Sequence, residues 1–113
     1  MSTSVGQGIQ YGADVAWQAF FDGLRQAVAS RAALPARLAT LVLGVCNLRE
    51  QNFPDTDTWD RFHKFLTATT GRPGHATAAK ILATTSKMTD EEAAQWLQEA
   101  VQIFSSLSEE SDL

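Results

Sequence analysis

Cysteine is all but absent from this chain: Cys46 is the single one. An internal disulfide is therefore excluded, and nothing in the cysteine usage points to an oxidising compartment. Also missing is an apolar run long enough to span a bilayer. The longest, Leu38 to Leu48, is bounded by Arg37 and Arg49 and reaches about half of the ~20 residues that a transmembrane helix needs. Met1 to Gln10 contains neither a basic stretch nor an apolar one, so it does not read as a secretory signal. These absences lead to the expectation of a cytoplasmic protein with no membrane partner. Period-two alternation is lacking as well, and with it any signal for a strand.

Catalytic motifs are equally scarce. There is no P-loop, no dinucleotide fingerprint and no nucleophile elbow. Gly71-Arg72-Pro73-Gly74 follows a predicted helix and lacks the Lys-Ser/Thr pair of a phosphate cradle, so it reads as a helix-breaking turn. Cys46 falls in the most apolar helix, where a thiol is expected to be buried, inert and raised in pKa. Asp60 and His63 project from one side of a helix and suit a shared proton or a metal, yet no second His and no Cys is placed to complete a zinc site. Beside Trp59 and Leu66, His63 reads as part of the packing. The carboxylates gather at helix starts and in the tail, where capping and solubility account for them. The expectation is a protein that is not an enzyme, with no cofactor, no metal and no small-molecule substrate.

What the chain does have is core. Its 113 residues are 44% hydrophobic and 19% charged, with three Trp and six Phe, which suffices for one globular domain without staples. Residues 1–12, rich in Ser, Gly and Gln, are expected to be a flexible lead-in. A single helical domain follows over 13–107, with an acidic tail at 108–113. In the first helix, about Ala13 to Ala29, Trp17, Phe20, Phe21, Leu24 and Val28 recur at steps of three and four and so share a face. Pro35 suits the first turn of a second helix, to about Gln51. That helix is apolar almost all round, interrupted by a thin stripe of Arg37, Thr40, Gly44, Asn47 and Gln51, and belongs at the centre of a bundle. Gly44 there is expected to mark close packing.

After the loop Asn52-Phe53-Pro54-Asp55, Thr56 or Asp57 is expected to cap a third helix that turns Trp59, Phe62, Phe65 and Leu66 inward. Gly71 ends it in the left-handed conformation, with Pro73 blocking continuation. A fourth helix from about His75 or Ala76 buries Ala78, Ile81, Leu82 and Thr85. Thr89 and Glu92 form a capping box for a fifth, which starts at Asp90 and buries Trp96, Leu97, Ala100, Val101, Phe104 and Leu107. The short connections favour antiparallel neighbours. The expected fold is all-α, a compact bundle of about five helices.

The order of the charges is the informative feature. Residues 23–49 carry Arg25, Arg31, Arg37 and Arg49 and no acid; 61–87 carry Arg61, Lys64, Arg72, Lys80 and Lys87 and no acid. Residues 50–60 hold four acids and no base, and 88–113 hold seven acids and no base, so a net charge of −4 conceals two basic blocks. These blocks either pair internally with the acidic ones, at little net stability, or meet an anionic partner. For the second case the candidate contacts to phosphate are Arg61, Lys64, Arg72, His75, Lys80, Thr84 and Lys87, since Lys and Arg charges, a Thr hydroxyl and a helix start together suit it. A pI near 5.0 is wrong for a free-standing nucleic-acid binder. Residues 76–97 have the spacing of a helix-turn-helix, but Asp90, Glu91 and Glu92 open the would-be reading helix and would repel phosphate. The leading expectation is thus a non-enzymatic helical binding module, an adaptor or small subunit with protein partners. Its candidate interface is Arg37, Thr40, Gly44 and Asn47, or the Lys80–Thr84–Lys87 stripe. The alternative is a subunit that contacts nucleic acid through residues 61–87 inside a larger complex.

Overall fold

The computed structural model of the chain describes residues 2–71 and 77–111, and the side chains of 14–71 and 77–108. Five α-helices follow one another: α1 (Ser2–Ala29), α2 (Leu34–Val45), α3 (Thr56–Thr70), α4 (Ala78–Thr85) and α5 (Asp90–Ser111), with one 3-10 turn at Glu50–Asn52 between α2 and α3. The described residues contain no strand, and the all-α bundle is as expected. None of their helices is long and apolar enough to cross a membrane. The central element is α2, which meets α1, α4, α5 and, at fewer points, α3.

Local chemistry explains most of the boundaries. Pro35 occupies the first turn of α2, where its missing N–H has no partner to lose. Gly71 closes α3 at φ 77°, its N–H donating to the Thr67 carbonyl at 2.9 Å, a conformation that a residue with a Cβ adopts only at a cost. At the start of α5 the Thr89 N–H donates to Glu92 Oε1 at 2.9 Å and the Glu92 N–H to Thr89 Oγ at 3.1 Å. That reciprocal box satisfies two donors which the helix leaves open.

Several boundaries differ from the sequence expectation. The first helix begins at Ser2 and not near Ala13; once a helix is nucleated, each added residue gains a bond for one residue fixed, so a Ser- and Gly-rich composition does not by itself end it. The cap of α3 is Asp55, in place of Thr56 or Asp57. Its extended backbone lies just outside the helix, and its Oδ1 accepts the Thr58 N–H at 2.7 Å. The fourth helix starts at Ala78, with Thr77 as its cap, accepting from the Lys80 N–H at 3.3 Å. The second helix stops at Val45 and does not reach Gln51. There the Leu48 N–H turns back to the Val45 carbonyl, and Asn52 Oδ1 takes the Arg49 N–H at 2.8 Å, so a side chain replaces the helical acceptor and starts the 3-10 turn.

The core is shifted around two helices. On α1 the buried stripe is Ala16, Phe20, Gly23 and Ala27, while Trp17, Phe21 and Leu24 are half-buried and Val28 is 81% exposed. The small residues let α1 approach α2 closely. A Cβ built on Gly23 would stand 2.5 Å from Leu41 Cδ1 and 3.5 Å from its Cα. On α5 Ala93, Ala100, Ile103 and Leu107 are buried and Val101 is 48% exposed, so Ile103 takes the place assigned to Val101. Leu82, also assigned to the core, is 51% exposed, because the eight-residue α4 buries only Ile81 and Thr85. Gly44 has nothing within 4 Å of a built Cβ, and Leu43 beside it is exposed. The close helix crossing is therefore at Gly23, and α2 has a solvent side.

Leu38, Leu41, Val42 and Val45 of α2 pack with Phe20, Phe62, Phe65, Ile81 and Ile103 into one cluster. Phe53, from the loop before α3, joins it, its ring centroid 4.8 Å from that of Phe62. Polar groups within this core are satisfied. Thr69 and Thr85, both buried, donate to the carbonyls of Phe65 and Ile81 four residues back at 2.9 and 2.8 Å. No buried side-chain N or O among the described residues lacks a partner, as native packing requires.

Candidate functional site

Of the described basic residues of 61–87, Arg61 is engaged within the bundle. Arg61 turns from α3 toward α5 and forms a two-point pair with Glu99: Nε–H to Oε2 and an Nη2–H to Oε1, both at 2.9 Å. The Glu99 carboxylate, by accepting these bonds, holds the guanidinium pKa above its ordinary value. With 43% and 28% of the two side chains exposed, such a pair contributes at most ~1 kcal/mol. It is the one ion pair among the described residues. Internal pairing of the charge blocks is thus realised at this position, while Lys64, Lys80 and Lys87 carry no ion-pair partner there.

Thr84 and Lys87 do come together. With Ala68 of α3, and with Met88, Glu92 and Trp96, they line a groove of about 390 Å³. Thr84 also sits against the α3 terminus, where a Cβ on Gly71 would lie 3.1 Å from its Oγ. The groove contains a carboxylate, Glu92, so its electrostatics are mixed. Lys80 is half-buried and Lys64 exposed. Arg72 and His75, the remaining candidates, lie outside the described residues.

The other candidate interface, along α2, is split by the end of the helix. Arg37 is half-buried and its Nε–H donates to the Ala32 carbonyl at 2.8 Å; Thr40 Oγ–H donates to the Ala36 carbonyl at 3.1 Å. Gly44 is exposed on the last turn, and Asn47 is exposed beyond it. Arg37 and Thr40 therefore share a helical face, and Asn47 stands outside that helix.

Cys46 is half-buried at the C-cap of α2, not deep within the helix as expected. Burial pushes its thiol pKa up, and a backbone hydrogen bond offsets part of that rise. A raised folded pKa means that the native state keeps its proton longer. Its contribution is fully present below the thiol's unfolded pKa and is lost as pH rises through the folded value. Native Cys46 should accordingly label several-fold more slowly than in denaturant at neutral pH. Its rate should climb only at a pH above that at which the unfolded chain's thiol ionises. Labelling at the unfolded rate in the native state would contradict this placement. His63 is exposed and stands 5.8 Å from the Trp59 ring, centroid to centroid. Among the described residues no three His, Cys, Asp or Glu side chains are grouped to hold a metal ion.

The feature that sequence reasoning missed is apolar. Along the seam of α1 and α5 runs a depression of about 300 Å³, floored by Leu24, Ala27 and Val28 of α1, Leu34 of α2, and Ala94, Leu97 and Val101 of α5. A second depression shares Leu24 and Val28 with it and continues to Phe21, Arg25 and Phe104. Trp17 extends this edge, stacked on Phe21 at 5.0 Å and 7°, with its Nε1–H donating to Ser108 Oγ at 2.8 Å. The signal in the sequence was the width of the apolar arc on α1. Two adjacent stripes, Ala16–Phe20–Gly23–Ala27 and Trp17–Phe21–Leu24–Val28, exceed what neighbouring helices cover. The chain matches no protein-family model, no curated protein and no solved structure.

Proposed function

We propose that this chain is a non-enzymatic helical binding module, an adaptor or small subunit of a protein assembly. The observation that carries the reading is the open apolar seam of α1 and α5, where Val28 is 81% and Val101 48% exposed beside half-buried Phe21, Leu24, Leu97 and Phe104. Exposed valine beside half-buried aromatic and aliphatic side chains offers a partner apolar surface to remove from water. In a gently prepared extract of its native cells, the chain should migrate in a complex well above its own 12.3 kDa. Migration as a free monomer would contradict the reading.

One observation favours a second reading, contact with nucleic acid inside a complex: Lys64, Lys80 and Lys87 have no ion-pair partner among the described residues. Nuclease treatment separates the two, because a complex held by nucleic acid collapses and one held by protein persists. Under the second reading, binding weakens steeply with salt as counterions are released. The double change Lys80→Glu and Lys87→Glu then abolishes it, whereas an adaptor that binds through the α1–α5 seam is left unchanged.

A further inference from the structure

We infer that the α1–α5 seam receives an amphipathic acidic helix from a partner protein. The inference rests on the binding-module reading and specifies its partner. A groove between two packed helices, lined by Leu24, Val28, Leu97 and Val101, offers the ridges and hollows into which a third helix lays apolar residues at steps of three and four. The seam from Ala94 to Phe104 is about 15 Å long at ~1.5 Å per residue, enough for roughly three turns.

Charge selects the occupant. The two ionised side chains that line the depressions are both arginines, Arg25 and Arg37, and no carboxylate lines either one. Arg25 holds its guanidinium 5.9 Å from the centroid of the Phe21 ring, at the edge of the apolar floor. The Arg37 Nε–H is fixed on the Ala32 carbonyl, and its Nη groups have no partner among the described residues. Among the described residues, the acids nearest in helical register form no ion pair with this rim. Asp22, a turn before Arg25, accepts instead from Gln18 Nε2–H at 3.1 Å, and Glu91, a turn before Ala94, lines neither depression. Arg31, in the connection between α1 and α2, is exposed and is a further positive charge on that connection. An apolar stripe flanked by Asp or Glu satisfies both the floor and the rim. A second copy of this chain fits poorly. A two-fold contact through the seam closes it on a face that carries the same two arginines and no carboxylate, and like charges brought together oppose association.

The test uses the purified full chain and two synthetic helical peptides. Both carry leucines at i, i+3, i+4 and i+7; one is flanked by glutamates, and its twin has lysines at those positions. By fluorescence anisotropy the glutamate peptide should bind at least about tenfold more tightly than the lysine peptide, with the difference shrinking at high salt. Amide shifts should move along α1, the start of α2 and α5. Arg25→Glu with Arg37→Glu should invert the preference. Should the double variant lose fold, Arg25→Glu alone, at an exposed position, must still narrow it. Val28→Asp should weaken binding of the glutamate peptide. Equal affinity for both peptides, shifts confined to other helices, or a dimer that Val28→Asp dissolves would each overturn the assignment. A native complex that survives Val28→Asp would also overturn it, while leaving the binding-module reading in place.

Discussion

Phe62→Ala is expected to remove about 3–5 kcal/mol of stability, the range for truncating a fully buried aromatic. Phe62 is wholly buried, and its ring stands between four others: Phe53 at 4.8 Å, Phe20 at 5.7 Å, Trp59 at 5.9 Å and Phe65 at 6.4 Å between centroids. Those neighbours come from α1, from the loop before α3 and from α3 itself, so no single shift closes the space left behind. A domain of this size has only ~5–15 kcal/mol in total. The loss should therefore appear as a large fall in the urea midpoint, with little change in the slope of the transition. Leu82→Ala provides the contrast. With Leu82 51% exposed, its truncation should cost less than about 1 kcal/mol, near the small effects of surface changes. Comparable losses from the two substitutions would mean that α4 packs differently from the arrangement described.

That contrast also shows where the sequence was legible. Three signals confined to a few residues agree with the structure, Pro35 in the first turn of α2, Gly71 at the end of α3, and Thr89 with Glu92 at the start of α5, although the cap of α3 and the end of α2 do not. Each depends on backbone groups within one turn, which the sequence places together by itself. Phe20, Phe62 and Phe65 were also assigned correctly to the interior, because large aromatic residues at helical spacing have few other places to go. The choice between two adjacent apolar stripes on α1 was not legible. It depends on what lies opposite, and Leu41 reaches Gly23 only through the packing of α2 on α1. Ile103 was displaced by Val101 for the same reason. Phe53 stood in a segment read only as loop, yet it is buried.

The candidate site divides along the same line. The alternation of basic and acidic blocks is visible along the chain, but which charge meets which is a property of the bundle. Arg61 and Glu99 are separated by 38 residues, and no local pattern joins them. The apolar seam is a still more distributed feature, since α1, α2 and α5 each contribute part of its floor. In the sequence its arginines belong to a basic block, and only the fold sets them beside exposed valine and half-buried leucine.

The close crossing of α1 and α2 leads to the second large effect, and it is non-additive. Leu41→Ala should cost roughly 2–5 kcal/mol, because Leu41 is wholly buried against α1 and its removal leaves a cavity. Gly23→Ala would be favourable by about 1 kcal/mol on helix propensity alone. Here its Cβ meets Leu41 Cδ1 at 2.5 Å, with the Leu41 backbone at 3.5 Å. A fully buried leucine has little room to swing aside, so overpacking should outweigh propensity and give a net loss of about 1–3 kcal/mol. Gly44→Ala isolates the propensity effect. Its Cβ meets nothing within 4 Å, so it should stabilise by about 0.5–1 kcal/mol. In the double variant Gly23→Ala with Leu41→Ala, the atom that clashes is gone and the new methyl projects into the vacated space. The combined loss should then fall short of the sum by at least ~1 kcal/mol, a coupling expected only of residues in contact. Denaturant titration of the three variants closes the cycle. Strict additivity, or a stabilising Gly23→Ala, would show that α1 does not cross α2 at Gly23, and would return Trp17, Phe21, Leu24 and Val28 to the face turned toward the core.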